Sequence, residues 1–479
     1  HLKQDGIMTI VLPHGVLFRG GEEGEIRKKL IEKNRIDAII GLPANIFFGT
    51  GIPTIIMVLK KERSNTDIQI IDASKGFVKD GKKNKLRSCD VKKIADAIRV
   101  RADIPGFSRK VSRDEIRENG YNLNIPRYVD SSEKTEQFDL YATMFGGIPE
   151  SEINELQAYW TAFPSLREEL FAKQDGKPFF ALKEDDIKSV VENNAEVKLF
   201  MQSFADAFNG FDQSLNERLV KNVMQVQEMK AQDAIAEDIF TRMTHIPLVN
   251  KYAAFQVLAE NWNTISNDVE MIQSEGIEAV RVVEPAYKVV KKNDEMMEVQ
   301  DGIKGRILPF DLVQSVKFTD ELNAIAEKEA RVAEIDSLLD EVRDSFNEDE
   351  QEAYLDDDNT KLDKKRIKAD AKKKGDEVEP ETKAKLKSIV ALDDEQKKLN
   401  KTIKEERFAL IQLTKEAIEN LSAEEIELFL YLKWITPICN GVNATASNTL
   451  FVFESQVKHI AEKYATSFNQ LNEDLSSAE

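Results

Sequence analysis

Residues 36–59 read IDAIIGLPANIFFGTGIPTIIMVL, two apolar runs separated by a loop rich in Gly and Pro. Ile36 to Ile40 and Thr54 to Leu59 are short, dense in Ile and bounded by turn-forming residues, the pattern of buried strands. Upstream, residues 7–12 (IMTIVL) form another such run that ends at Pro13, and downstream residues 68–71 (IQII) supply a fourth. Between the first two runs, Glu22 to Glu32 puts Ile26, Leu30 and Ile31 on one face, with acidic residues in the first turn and basic ones after them. That is an amphipathic helix with charges matched to its dipole. A strand, a helix and a strand followed at once by more strands predict the closing half of an α/β sheet with an antiparallel end. A half-sheet of this size cannot cover both of its faces, so the reading expects more of the domain upstream of His1.

Working outward, residues 75–130 are basic and loop-rich, with a helix expected from Val91 to Arg101. Residues 150–300 have a mainly helical pattern anchored by Trp160, Phe163, Phe171, Phe200, Phe204 and Trp262, and short strands are expected at 279–283 and 287–292. Later, Val332, Ile335, Leu339, Val342 and Phe346 alternate spacings of three and four, and Ile389, Leu392, Gln396, Leu399 and Ile403 do so again. Two coiled-coil arms are expected. The stretch between them, 347–384, is nearly all charged and reads as a solvated or disordered connector that lets the arms fold back antiparallel. The expected divisions are 1–130, 150–318, 319–430 and a helical tail at 431–479.

The formal charge of −19 averages two unlike parts: residues 1–130 hold 25 Lys and Arg against 17 Asp and Glu, a net of +8, leaving −27 for the remainder. A basic module followed by an acidic one suits a protein that offers one face to a polyanion and another to protein partners. Cys89 and Cys439 lie far apart without neighbouring ligands, and His14, His245 and His459 are scattered, so neither a disulfide framework, a zinc site nor a His-based triad is expected. No run approaches the ~18 apolar residues of a membrane span, and the start has no signal-peptide layout, so the cytoplasm is the expected location.

Two segments carry a resemblance. Residues 8–32 (MTIVLPHGVLFRGGEEGEIRKKLIE) and 36–61 (IDAIIGLPANIFFGTGIPTIIMVLKK), followed by NGYNLNIPRY at 119–128, resemble the stretch downstream of the catalytic motif in modification subunits of type I restriction-modification systems. Residues 245–262 (HIPLVNKYAAFQVLAENW) are more loosely similar to the helical C-terminal region of longer members. The resemblance implies the C-terminal half of a doubly wound, Rossmann-like methyltransferase sheet, followed by a mainly helical region with a long coiled-coil hairpin. It implies N6-adenine DNA methylation with S-adenosylmethionine as methyl donor. Implied partners are double-stranded DNA, a specificity subunit, a restriction subunit and a second modification subunit.

The family's Asn-Pro-Pro-aromatic motif and cofactor loop have no match here. The nearest strings, Asn124-Ile125-Pro126 and Asp301-Gly302-Ile303-Lys304-Gly305, have the wrong residues and setting. No catalytic, cofactor-binding or metal-binding residue is therefore expected in this chain, and the chain alone is expected to be inactive. What remains is the handling of the base. Adenine must leave the stack, at a cost of a few kcal/mol, for its amine to be reached. An aromatic ring recovers roughly 1–3 kcal/mol by stacking on it.

By resemblance Phe47, with Phe48 as second choice, is the ring that stacks on the extruded base; the alternative is that both merely pack. Gly49 and Gly51 would let this loop turn tightly. Gly20-Gly21 leads into Glu22 and Glu23, which repel phosphate, so it reads as a turn rather than a phosphate loop. His14 and Arg19 fall at the end of the first strand, where active-site loops gather. Lys82, Lys83, Lys85, Arg87, Lys92, Lys93, Arg109, Lys110, Arg113 and Arg127 are candidate phosphate contacts, or simply a solvated face. The arms either dock on the specificity subunit or pack on their own chain. A non-enzymatic assembly scaffold is the competing reading. An adenine methyltransferase with fused specificity is disfavoured by the acidic C-terminal part, since a recognition domain should be basic where it meets DNA.

Overall fold

The computed structural model describes residues 2–132, 136, 138–292, 295–356, 361–373 and 378–471. The chain forms two compact units: residues 1–215, 227–265 and 437–479 make one, and residues 216–226 and 266–436 the other.

The first unit is built around a five-stranded mixed sheet. Its strands are β1 (Ile7–Pro13), β2 (Ile36–Gly41), β3 (Thr54–Lys60), β4 (Ile68–Asp72) and the later strand Ser108–Val111, in the order β1, β3, β2, β4, Ser108–Val111. Only β2 and β4 run parallel; β1 with β3, β2 with β3, and β4 with Ser108–Val111 are antiparallel. All four apolar runs read from the sequence are strands, and the expected helix is α1 (Gly21–Glu32). The inner strands bury both faces, whereas β1 at the edge is largely exposed, with Ile7 61% and Val11 49% exposed. Leu17, Ile31, Ile36, Ile39, Ile55, Ile68, Ile70 and Ile116 pack on one side, and Ala38, Ile40, Val58, Ile71 and Ala97 on the other.

Strict alternation would put Ile36 and Ile40 on one face. The register between β2 and β3 shifts between Ile36 and Ala38, so the two fall on opposite faces with Asp37 at the irregularity. The Asp37 carboxylate meets Lys60 at 2.7 Å, Arg63 at 2.9 Å and Arg101 at 3.0 Å. Burial opposes its charge, but these cations outweigh burial and hold its carboxyl below the usual carboxylate range.

Residues 75–130 contain more regular structure than a basic loop. A hairpin, β5 (Val78–Asp80) and β6 (Lys83–Lys85), turns at Gly81 with φ +58°. Its strands are three residues long and polar, so no apolar alternation announces them. The expected helix at Val91 starts earlier, as α2 (Ser88–Val100), because the main-chain N–H of Arg87 and the Asp90 carboxylate close its first turn. Beyond it come β7, the strand Ser108–Val111, and α3 (Arg113–Glu118).

The helical remainder of this unit buries all six predicted aromatic anchors. Trp160, for instance, meets Phe453 edge-on at 5.4 Å. Among the described residues no helix is long and apolar enough to cross a membrane.

In the second unit the helices Thr319–Asp344 and Pro380–Glu419 pack antiparallel: Ile335 and Leu339 meet Leu386 and Ile389 toward one end, and Ile325 meets Ile403 and Leu410 toward the other. The connector expectation needs correction where it is described. Residues Glu348–Tyr354 and Lys364–Asp370 are helices, and Tyr354 and Ile367 are buried against the pair. The charge content misleads because Glu350 is itself buried, accepting from the Thr382 hydroxyl at 2.7 Å and from Lys385 at 2.9 Å. Residues 357–360 and 374–377 of that connector, and 472–479 of the tail, lie outside the described residues. The expected strand at 279–283 is mostly a 3-10 turn, Ile277–Arg281, whose Ala279 and Val280 are buried; the strand begins at Val283 and pairs with Glu295–Gly305.

Candidate functional site

Register decides which loops share an end of the sheet. Pro13 lies opposite Thr54, Gly41 opposite Ile55 and beside Asp72, and Ser108 opposite Ile71. His14, the loop 42–53, Asp72 and the turn before Ser108 therefore emerge together, at the carboxyl end of the parallel pair β2 and β4. Open α/β sheets bind ligands at this end.

The loop 42–53 is closed at its base by Leu42 N–H donating to the Thr54 carbonyl at 2.9 Å. Asn45 and Gly49 adopt φ +57° and +81°, and a Cβ at Gly51 would stand 3.0 Å from Asn45 Oδ1, so the tight path needs glycine there. Phe47 is 38% exposed and Phe48 94% exposed. Phe48, almost wholly open, contributes little to the fold, whereas Phe47 is more than half covered.

The β5–β6 hairpin is fastened to this loop. Asn84 donates from its main chain to the Asn45 carbonyl at 3.1 Å and from its amide group to the Ala44 carbonyl at 2.7 Å. Lys83 Nζ donates to the Phe47 carbonyl at 2.7 Å and lies 5.3 Å from the centre of the Phe48 ring. Thr54 Oγ1 and Asn84 Oδ1 are buried beside the loop without hydrogen-bond partners among the described residues.

At the end of β1, His14 meets Phe18 edge-on at 5.8 Å. Partial burial lowers the His14 pKa, opposed by the Asp72 carboxylate. Asp72 accepts from the Ser74 main chain at 3.0 Å and from the Ser131 hydroxyl.

The predicted cations divide. Arg19 and Arg127 are exposed at this end: Arg19 follows the turn containing His14, and Arg127 follows Ile125, which contacts Gly41. Lys82 and Lys85 are exposed on the hairpin, whereas Lys83 is turned onto the loop. Most of the others are paired within the fold, with Arg87, Arg109 and Lys110 still exposed. Arg87 is held by Asp90 at 2.9 Å and Lys92 by Asp96 at 2.8 Å, while Lys93 lies 4.0 Å over the Phe107 ring. Arg109 is bidentate on Glu115 at 2.8 and 3.0 Å, and Lys110 is 3.4 Å from Asp103. Arg113 starts α3 past the opposite end of β7 and is not gathered with the loop. Gly20-Gly21 leads into Glu22 and Glu23 in the first turn of α1, so an anion would meet two carboxylates there.

Sequence reasoning missed Asn84 altogether and treated Lys83 as one more lysine in a run. Nothing in that run distinguishes it from Lys82 or Lys85. Asp72 had a weak signal, as an acid closing an apolar strand.

Residues 1–137 match the family model described as N-6 DNA Methylase. The chain is 41% identical over 140 residues to the MpnII methylase subunit of a type I restriction enzyme from Mycoplasma pneumoniae, covering 29% of this chain and 26% of that one. It is 44% identical over 137 residues to the MjaVII methylase subunit of a type I restriction enzyme from Methanocaldococcus jannaschii, covering 27% and 24%. Among solved structures, the methyltransferase subunit of a type I restriction-modification system from Streptococcus thermophilus is 58% identical, covering 27% of this chain and 28% of that one, with a TM-score of 0.27. The matched stretch spans about a quarter of the length of these curated relatives.

Proposed function

We infer, from the membership of residues 1–137 in the N-6 DNA methylase family, that this chain belongs to the modification subunit of a type I restriction-modification system. The subunit transfers a methyl group from S-adenosylmethionine to N6 of adenine in DNA. Residues 1–130 are its base-holding half-domain, part of a doubly wound sheet. The regions 150–318, 319–430 and 431–479 form its helical part, with the 319–430 arms available to a specificity subunit. Assembly with a restriction subunit and a second modification subunit completes the reading.

The observation that carries the site assignment is the loop 42–53, which presents Phe47 and Phe48 at the carboxyl end of β2 and β4. Once adenine is out of the duplex, a ring here offers it a face, and stacking of about 1–3 kcal/mol biases it toward the extruded state. Arg19, Lys82 and Arg127 stand exposed at the same end, where sequence-independent phosphate contacts would orient the duplex. Arg19 also pairs with Glu23 at 3.8 Å, so it is position that makes Arg109, Lys110 and Arg113 weaker candidates: they lie along or beyond β7, away from the loop.

The residues present do not fit the methyl donor. The Gly20-Gly21 pair at the start of α1 faces Glu22 and Glu23, and the sequence contains no Asn-Pro-Pro string. The groups that hold the donor and localise the amine's lone pair are therefore assigned outside this sequence, and this chain alone is assigned no methyl transfer. The test is methylation by the intact subunit with its partners, compared with binding of S-adenosylmethionine by this chain alone. Activity in the first and no binding in the second is the expected result. An intact assembly that neither binds the donor nor methylates DNA would establish the scaffold reading instead.

A further inference from the structure

We propose that the β5–β6 hairpin is the positioning element of the Phe47 loop, with Lys83 and Asn84 acting on the loop backbone rather than on DNA. The inference rests on the base-holding reading above. Three loop carbonyls, those of Ala44, Asn45 and Phe47, accept hydrogen bonds from two adjacent hairpin residues. The Lys83 ammonium adds its contact with the face of Phe48.

A twelve-residue loop with two positive φ angles has considerable freedom, whereas a ring that must meet an extruded base needs placement to within about 0.5 Å. Phe48 at 94% exposed adds no packing to hold the loop, and the partial cover of Phe47, 38% exposed, does not fix the loop backbone that carries it. The hairpin can fix it, because its strands are paired with each other and β6 runs almost directly into α2. A two-stranded hairpin this short is itself marginal in isolation, so loop and hairpin stabilise each other.

The charge of Lys83 is thus spent on the loop, unlike that of its exposed neighbours Lys82 and Lys85. The three lysines form an internal control. Each lysine that contacts phosphate contributes about 0.9 to the slope of log affinity against log salt. Lys82→Met should lower that slope, whereas Lys83→Met should leave it unchanged.

The experiment uses the intact subunit with its partners on two duplexes: one carries 2-aminopurine at the target adenine, whose emission reports extrusion, and the other keeps adenine there, on which kcat is read because 2-aminopurine has no N6 amine to accept the methyl group. Lys83→Met and Asn84→Ala should each lower the emission and kcat at least fivefold, as Phe47→Ala does, with Lys83→Arg retaining most of both. Because Asn84 is buried and its variant could loosen the hairpin generally, exchange of the 44–48 amides is also measured in this chain for Lys83→Met, whose side chain is only half-buried. It should rise. A salt slope lowered by Lys83→Met with emission intact, or unchanged amide exchange, overturns the inference while leaving the base-holding reading in place. Emission and kcat insensitive to Phe47→Ala would overturn that reading, and the positioning role with it.

Discussion

The sheet of the first unit and the antiparallel helix pair of the second both bury an aspartate, and they surround it differently. Asp37 in β2 is met by Arg63, whose side chain is only 1% exposed, and by Arg101 at 20%. Asp393 in the helix Pro380–Glu419 is met by Lys364 and Lys397, whose side chains are 48% and 62% exposed. Removing the acid in the sheet strands the buried side chain of Arg63, while Lys60 and Arg101 keep partial access to water and Arg101 keeps Asp67. Removing it in the helix pair frees lysines that simply turn outward. Equal burial of an acid therefore does not mean equal dependence on it; what decides is where its partners can go.

The largest expected effect breaks or sustains that comparison directly. Asp37→Ala should destabilise the sheet by about 3–5 kcal/mol, the cost of leaving a buried charge uncompensated. Asp393→Ala should cost the helix pair no more than about 1 kcal/mol, in the range of exposed pairs. Native-state hydrogen exchange of the β2 and β4 amides, against those of 386–400, reads the two separately. Similar losses in both would mean that partner exposure is not what matters.

The second effect sharpens the contrast within the sheet. The Asp37 cluster lies at the end opposite the loop 42–53, so stability and ligand contact are carried at different ends of the same strands. Phe47→Ala should leave exchange of the strand amides unchanged. It should lower methylation by the intact subunit about tenfold, equivalent to about 1.4 kcal/mol of lost base stacking. A rate within twofold of the unaltered subunit would remove Phe47 from the site.

A third, smaller effect concerns acid. Glu32, at the end of α1, is bonded by Arg117 and by the Tyr121 hydroxyl, and these partners pull its pKa from 4.5 down to about 2. Asp37 and Asp67 are lowered too, their cations outweighing the opposing effect of burial. Groups with depressed folded pKa values stabilise fully above their ordinary values, and the stabilisation is lost as pH falls toward the folded ones. Urea midpoints should be flat above about pH 5 on this account and fall between about pH 4.5 and 2. Glu32→Gln should flatten part of that fall, and a midpoint that rises on acidification would contradict the assignment.

These contrasts also explain what could be read in advance. The strands β2, β3 and β4 were legible because they are apolar almost throughout and buried on both faces, whereas β1 was legible from its apolar run alone, since it is largely exposed. The loop holding Phe47 was legible as an interruption in that pattern. The Asp37 cluster was not, since its partners come from positions 60, 63 and 101 and meet only through the register shift and the left-handed Arg101, at φ +49°. Lys83 and Asn84 were hidden by composition, one lysine among several and one polar residue between two of them. The same blindness made 347–384 look solvated, because charge counted along a sequence cannot distinguish Glu350, which is paired and buried, from Glu348, which is not.

The smallest effect tests whether the helix pair depends on its surface charges. Arg331 and Glu395 join the two long helices through two hydrogen bonds, at 2.8 and 3.1 Å, with side chains 38% and 42% exposed. Water competes for both groups, and two long side chains must be ordered, so a double-mutant cycle with Arg331→Ala and Glu395→Ala should give a small coupling, well below the loss on truncating a buried apolar residue. Raising the salt from 0.1 to 1 M should shrink it, since screening shortens from about 10 Å to about 3 Å over that range. Ile335, fully buried at the centre of the pair, sets the scale, as its truncation to Ala should cost about 2–5 kcal/mol. If the ion pair couples as strongly as Ile335 contributes, charge rather than apolar packing aligns the helices. The contrast with the sheet would then be one of degree.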